Sequence, residues 1–176
     1  MACLLTSGRT EPCSDAIGGL KAIYLMNYIE DSFTVTNVEA TAVNVAITEV
    51  FKYDLLADGN TYNEPFTQDI SAGTSTYEQA LVVALKKQTM ESARELALIV
   101  KSRPIVVVRD RMDNYKVVGI SDGTSTTGDI ISGGTKAEFS GYNLTFNATE
   151  TEPSPFLDSA TVTAFEALVS ATNVAP

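Results

Sequence analysis

The 176-residue sequence contains no histidine and no tryptophan. Histidine is the commonest general base of enzymes and the commonest transition-metal ligand, so its absence excludes histidine-dependent catalysis and the usual catalytic zinc sites. Serine and cysteine nucleophiles have no histidine partner to activate them. We therefore expect a protein that is not an enzyme.

Cysteine is scarce, and long hydrophobic runs are missing. Cys3 and Cys13 are the two cysteines, and one pair cannot build a disulfide-rich scaffold or a four-thiolate zinc site. We expect both cysteines to be reduced. If they were oxidised, their disulfide would close a short loop that constrains the N-terminal arm. The longest apolar runs are strand-sized and far below the roughly 20 residues of a membrane span. The first ten residues lack the pattern of a signal peptide, so we expect no stable membrane association.

Positive charge is also limited. The chain has 12 Lys and Arg against 22 Asp and Glu, a formal net charge of −10. An acidic surface repels phosphate, which argues against DNA binding through backbone contacts but allows DNA to pass without being bound. The chain is 44% hydrophobic and 19% charged, as in globular proteins. Its length fits one domain, and its recurring Thr and Val favour β structure.

The hydrophobic period changes clearly within residues 75–120. An alternating strand, YEQALVVALKK, precedes an amphipathic helix predicted over about residues 89–102. Thr89 is the expected N-cap, and Pro104 stops the helix. The buried-looking strand PIVVVRD and the hairpin strand YKVVGI follow. The residues at helical spacing that we expect to form one buried stripe are Met90, Ala93, Leu96, Ala97 and Val100.

The remaining segments predict further strands. LKAIYLMNYIE is apolar on both faces and is expected to be central, whereas residues 38–48 fit a strand or a short helix. Residues 49–56 and the run TYNEPFTQDI flank a strong turn signal and predict a projecting hairpin, with Pro65 marking an edge or a bulge. Residues 121–137 are glycine-rich and predict a flexible loop, with a short strand possible at 130–131.

Near the C-terminus, SGYNLTFNATETE alternates cleanly and predicts a strand with Tyr142, Leu144, Phe146 and Ala148 facing inward. The following tail is compatible with a short helix around residues 164–170. The domain organisation expected from these patterns is an N-terminal arm at 1–16, a β domain at 17–156 and a C-terminal extension at 157–176.

The acidic residues do not form a recognisable reactive site. The closest pairs, Asp110 with Asp113 and Glu150 with Glu152, do not establish glycosidase geometry, and we expect them to be solvated. The aspartates of the glycine-rich loops lack EF-hand spacing, and Gly133–Gly134 is not part of a phosphate-loop motif. We predict no catalytic, cofactor or metal residue.

Three segments in order resemble bacteriophage tail-tube-type virion proteins. The first is ACLLTSGRTEPCSDAIGGLKAIYLMNY, the second is the strand–helix–strand–hairpin segment from YEQALVVALKK to VVGISDG, and the third is SGYNLTFNATETEPSPF. Together they cover most of residues 1–156, and their order is more specific than any one of them. The last 20 residues fall outside the resemblance.

The resemblance implies two packed antiparallel sheets forming a β-sandwich or barrel, with one flanking helix, long loops and an N-terminal arm. It implies subunits that assemble into rings, commonly of six, which stack into the tail tube of a virion. Such a subunit is assembled in the host cytoplasm, contacts other tail or connector proteins, and lets phage DNA pass through the lumen during ejection. The residues expected to contact neighbouring subunits are Cys3, Arg9, Cys13, Asp58, Asn60, Tyr62, Pro65 and Phe66.

Two alternatives stay open at this point. A head–tail connector or ring protein with the same fold would have the same sequence features. A monomeric β-sandwich that binds a glycan or calcium would explain the Thr- and Gly-rich strands, but not the absence of tryptophan. Self-assembly distinguishes the monomeric β-sandwich from the tail-tube subunit and from the connector or ring protein.

Overall fold

The computed structural model describes residues 7–11, 13–14, 16–55 and 59–169. Cys3 and Asp58 lie outside these ranges. The described chain forms strands and helices in the following order: β1 (Leu20–Met26), β2 (Phe33–Thr36), β3 (Glu39–Val43), β4 (Phe51–Asp54), β5 (Thr61–Asn63), β6 (Phe66–Asp69), β7 (Thr74–Lys86), α1 (Met90–Ile99), β8 (Ile105–Asp110), β9 (Tyr115–Val118), β10 (Ser125–Ile131), β11 (Gly141–Glu150), β12 (Phe156–Leu157) and α2 (Ser159–Ala167).

A seven-stranded sheet has the strand order β2-β3-β12-β9-β8-β1-β4. Its strands β1, β8 and β9 are buried on both faces, as expected for apolar runs such as Ile105–Val108. Most pairs in the sheet are antiparallel, but β12 lies parallel to β3. The prediction of two packed antiparallel sheets is confirmed, and the pair of β3 with the two-residue strand β12 is an exception within the first sheet.

A five-stranded sheet packs on the first with the order β10-β11-β7-β5, and β6 also pairs with β7. Alternate residues of β7 and β11 point into the space between the sheets, and Leu81, Val83 and Phe146 are fully buried there. The inward alternation predicted for β11 is confirmed. The architecture is a sandwich that does not close into a barrel.

A second core lies on the opposite face of the seven-stranded sheet. There Phe165 of α2 packs edge-on against Tyr24 of β1, with ring centroids 5.3 Å apart. Leu157 of β12 is buried in the same core. The segment expected to be a C-terminal extension therefore packs into the domain, and its helix begins at Ser159, earlier than predicted.

The described residues form two helices: α1 lies where the flanking helix was predicted, and α2 lies in the segment where a short C-terminal helix was expected. Thr89 caps α1 as predicted, with its hydroxyl oxygen accepting from the Ser92 amide at 3.1 Å. The predicted buried stripe of α1 is mostly wrong, since Leu96 and Ile99 are the buried residues and Met90 and Val100 are exposed. One helix cannot bury both faces, and α1 turns the Leu96–Ile99 face toward the sheets.

The predicted hairpin across residues 49–70 is also wrong. Its first strand, β4, pairs with β1, and its second, β5, pairs with β7 in the other sheet. Pro65 separates β5 from β6, because proline cannot donate to a strand ladder. The hairpin that projects is formed by β6 and the first part of β7.

Two ambiguous segments are strands. Residues 39–43 form β3 rather than a helix. Residues 125–131 form the seven-residue β10, so the short strand expected at 130–131 extends through much of the predicted loop. No helix among the described residues is long and apolar enough to cross a membrane.

Truncating Phe165 tests the place of α2 in the core. We expect Phe165→Ala to lower the free energy of unfolding by about 3 to 5 kcal/mol, because a large buried ring leaves a cavity. Ala164→Ser, at an exposed position of the same helix, should change it by less than about 0.5 kcal/mol. Urea denaturation measures both variants. Equal stability of the two would show that α2 is not part of the core.

Candidate assembly surfaces

Two of the predicted contact residues serve the subunit's own fold. Asn60 is buried, and its side-chain oxygen accepts from the Ala84 amide at 2.8 Å. The Tyr62 hydroxyl lies 2.5 Å from the Ser154 hydroxyl, and burial raises the pKa of Tyr62 above its usual value. These groups tie β5 to its surroundings within one subunit.

Glu64 and Ser154 connect the two sheets at the end of the sandwich that carries the β6–β7 hairpin. The Glu64 carboxylate accepts from the Ser154 amide at 2.8 Å and from its hydroxyl at 2.6 Å. Because the serine proton is used there, Tyr62 must be the donor to Ser154. Gln79 donates to Glu64 at 3.2 Å and accepts from the Gly119 amide at 2.9 Å.

Glu150 closes the same end of the sandwich. Its carboxylate is buried and accepts from the Ser121 amide at 3.0 Å and from the Ser121 hydroxyl at 2.5 Å. The expectation that Glu150 is solvated is therefore wrong. A buried carboxylate needs several donors, and the loop after β9 supplies them. The base of the hairpin is thus held by hydrogen bonds as well as by packing.

The acids at the β8–β9 turn have structural partners. Asp110 accepts from the backbone amides of Met112 and Asn114, each at 2.8 Å, and so shapes the turn. Hydrogen bonds from Lys21 and Arg109 lower the pKa of Asp113. Among the residues that the structure describes, no group of three or more Cys, Asp and Glu is arranged to hold a metal ion.

A cleft of about 320 Å³ lies where the residues before β1 and the start of β5 meet the β8–β9 part of the seven-stranded sheet. Its lining includes Gly18, Gly19, Tyr62 and Lys116, and the Lys116 ammonium lies 5.6 Å from the centroid of the Tyr62 ring. The N-terminal arm leaves the domain at this cleft. Within the arm, Arg9 and Cys13 are exposed, and Cys13 is a free thiol.

The β6–β7 hairpin extends beyond the core. All four residues of β6 are exposed, and Pro65 before it is exposed as well. Phe66 is 75% exposed, and its ring lies tilted at 35° to that of Tyr77 in the same hairpin, with ring centroids 6.0 Å apart. Ile70 at the turn is 86% exposed. Sequence reasoning named Pro65 and Phe66 as contact residues, which stays a prediction, and did not name Ile70.

The edge of β10 is long and regular, and within the described residues no second strand pairs with it. Among the described strands β10 pairs with β11 alone, in continuous register from Ser125↔Asn147 to Ile131↔Gly141. It carries no proline or lysine and one charge, Asp129. Proteins usually block such an edge with charges, proline or bulges, because its free amides and carbonyls can pair with another chain.

The other strand edges are shorter or irregular. Pairing of β2 with β3 shifts register between Thr34 and Val35. On β4, which has four residues, Lys52 and Asp54 form an ion pair of 2.9 Å. Strand β5 has three residues. Sequence reasoning predicted only residues 130–131 of β10 as a possible short strand, because Gly123 and Gly128 indicated a loop; the signal for the rest of the strand was its Thr-Thr…Ile-Ile content.

The outward face of the five-stranded sheet is polar and nearly uncharged. Threonine and asparagine dominate it on β11, at Asn143, Thr145, Asn147 and Thr149, and small residues dominate it on β7. By strand register, its charged side chains are Asp69, Glu78, Lys86 and Asp129. A surface of this kind offers little to hold a phosphate backbone.

Comparison with known proteins gives no relative. No family model matches the chain, and no curated protein or solved structure is significantly similar to it. The functional argument therefore rests on the surfaces of the molecule itself.

Ser154→Ala tests the polar link between the sheets. We expect the free energy of unfolding to fall by about 1 to 3 kcal/mol, because Glu64 and Tyr62 lose a buried partner. Ser140→Ala, at an exposed position, is the matched control and should be close to neutral. Chemical denaturation, monitored by tyrosine fluorescence, measures the free energy of unfolding of both variants. A neutral Ser154→Ala would mean that the network contributes nothing to stability.

Proposed function

We propose that this protein is a structural subunit that assembles into rings and stacked tubes, as the tail tube of a bacteriophage virion does. The observation that carries the proposal is the unprotected edge of β10. A seven-residue regular edge without lysine or proline is suited to accept a strand from another copy. The projecting β6–β7 hairpin and the exposed N-terminal arm give further surfaces for neighbours.

The position of the two free edges favours a closed ring. The five-stranded sheet ends at β10 on one side and at β5 and β6 on the other. If β10 of one copy pairs with the β5–β6 edge of the next, the sheet continues from subunit to subunit. A contact between two different edges is heterologous, and it closes into a ring when the rotation per subunit allows.

The face of such a continuous sheet fits a DNA conduit. The outward face of the five-stranded sheet, with its threonines and asparagines, would line the lumen. Its three acids and one lysine leave no cationic cluster, so DNA would pass without being held by counterion release. The overall charge of −10 acts in the same direction. In this role the subunit resides in the virion tail and contacts other tail proteins.

A charge on the β10 edge tests ring formation. Purified wild-type protein should form rings or tubes that negative-stain electron microscopy and sedimentation velocity detect. Thr127→Lys on β10 should require at least about tenfold more protein to assemble, equivalent to about 1.4 kcal/mol per contact.

Thr145→Lys is the matched control, because Thr145 pairs directly with Thr127 but lies on the interior strand β11. It should assemble like the wild type. A wild-type protein that stays monomeric at high concentration in every salt condition would contradict the proposed function. Equal effects of the two lysines would contradict the assignment of the β10 edge.

A further inference from the structure

The cleft of about 320 Å³ at the N-terminal arm reaches the space between the two sheets, because its lining includes Leu20 and Val108 of the core that fills that space. A second recess, of about 200 Å³, shares residues 17–20 and Asn60 with that lining. The two recesses together are named the arm cleft. The larger one alone reaches the lower end of the range for small-molecule sites, roughly 300 to 1,000 Å³.

Lys116 brings a positive charge into the larger recess from the seven-stranded sheet. It pairs with Val108, whose side chain lies in the core between the sheets, so the Lys116 side chain is on the same face. Its ammonium lies 4.8 Å from the centroid of the Phe156 ring and 5.6 Å from that of the Tyr62 ring. Cation–π contacts of this kind hold an ammonium in place without neutralising its charge.

Arg111 brings a second positive charge to the smaller recess. Its side chain lies against Gly19, since a Cβ atom at position 19 would be 3.0 Å from Arg111 Nε. Gly19 also has a φ of +105°, which residues with a side chain rarely adopt. The glycine thus lets the arginine side chain lie close to the backbone that lines the arm cleft.

The arm cleft has a local excess of positive charge. Among the described residues that line it, Asp110 is the one acid. Its carboxylate accepts from the Met112 and Asn114 amides, each at 2.8 Å, and from the Asn114 side chain at 2.9 Å. Neither Arg111 nor Lys116 forms an ion pair within the described residues. This excess is local, because the whole chain has a formal net charge of −10.

Two further acids close to the arm cleft have partners of their own. Asp113, at the β8–β9 turn, forms ion pairs with Lys21 at 3.0 Å and with Arg109 at 2.8 Å. Glu64, which follows β5, accepts hydrogen bonds from uncharged serine and glutamine groups. The two cations of the cleft are therefore available to hold an anion from solution.

The donors of the arm cleft fit a phosphate group better than a carboxylate. An arginine side chain has five N–H donors and a lysine has three. The amides of Gly18 and Gly19, which also line the cleft, donate to no protein group within the described part of the chain. A carboxylate offers two oxygens, whereas a phosphate monoester offers three and carries a charge of about −1.5 to −2 at pH 7.

We propose that the arm cleft binds the phosphate group of a small phosphate monoester through Lys116 and Arg111. A phosphodiester of DNA carries a single negative charge per group, so two adjacent cations favour the monoester. The site does not depend on the proposed assembly, because all of its groups lie within one subunit.

Isothermal titration calorimetry of the full chain with ribose 5-phosphate tests the site. We expect saturable binding of ribose 5-phosphate and no binding of ribose, which lacks the phosphate. Lys116→Gln and Arg111→Gln should each weaken binding at least about tenfold, because each removes a charged hydrogen-bond donor. Lys101→Gln removes an exposed cation after α1; it is the matched control and should bind as the wild type does. Circular dichroism checks that all three variants are folded.

Two results would overturn the site. One is a wild-type protein that shows no saturable binding of ribose 5-phosphate. The other is a loss of affinity in Lys101→Gln as large as in Lys116→Gln and Arg111→Gln, which would mean that only the overall charge matters. Inorganic phosphate should displace ribose 5-phosphate, and a failure to do so would contradict recognition through the phosphate group.

A single-stranded oligonucleotide without terminal phosphates distinguishes DNA from a small monoester as the source of the phosphate. At equal phosphate concentration it should displace ribose 5-phosphate much less than inorganic phosphate does. Equal displacement would assign the cleft to the DNA backbone and overturn the proposal. Rings or tubes formed by a protein that binds no ribose 5-phosphate would support the proposed function and remove this site alone.

Discussion

The structure depends on one constraint: β1, β8 and β9 are apolar on both faces and must be covered on both sides. Ile105–Val108 is the clearest case, with four consecutive buried residues. The five-stranded sheet covers one face of these strands, and α2 with the segment before β4 covers the other. The result is three layers with the seven-stranded sheet in the middle.

As a result of the same constraint, the five-stranded sheet contributes one of its two faces to a core of the subunit. Its inward side chains, such as Leu81 and Phe146, complete one core, while its outward face is covered by nothing in the described part of the subunit. Its β10 edge is likewise free, and its hairpin extends beyond the layer beneath. The carboxylates of Glu64 and Glu150 hold the base of that hairpin. They accept hydrogen bonds from Ser154 and Ser121, which lie next to strands of the seven-stranded sheet. The packed sandwich thus carries a sheet whose outward face and β10 edge are suited to contact other copies of the chain.

Sequence reasoning predicted the parts of the fold that local pattern determines. The alternation of β11, the buried run of β8 and the Thr89 cap are each set by neighbouring residues, and all were found. It failed where strand pairing or helix packing depends on residues that are distant in the sequence. Turn signals around residue 59 do not say that β4 and β5 belong to different sheets. The apolar residues of α1 surround the helix, so only packing decides that Leu96 and Ile99 turn inward.

The candidate surfaces were predictable only in part. Pro65 and Phe66 were named as contact residues because proline marks an edge, and that role stays a prediction. The exposure of Ile70 and Met90 is set by topology and was not anticipated. Most of β10 was not predicted, because Gly123 before the strand and Gly128 within it indicated a loop.

Hydrogen exchange of the β10 amides, compared between assembled and dissociated protein, tests the central claim most directly. Pairing of the β10 edge predicts strong added protection within Ser125–Ile131 on assembly. Assembled protein in which these amides exchange as fast as in the monomer would contradict it.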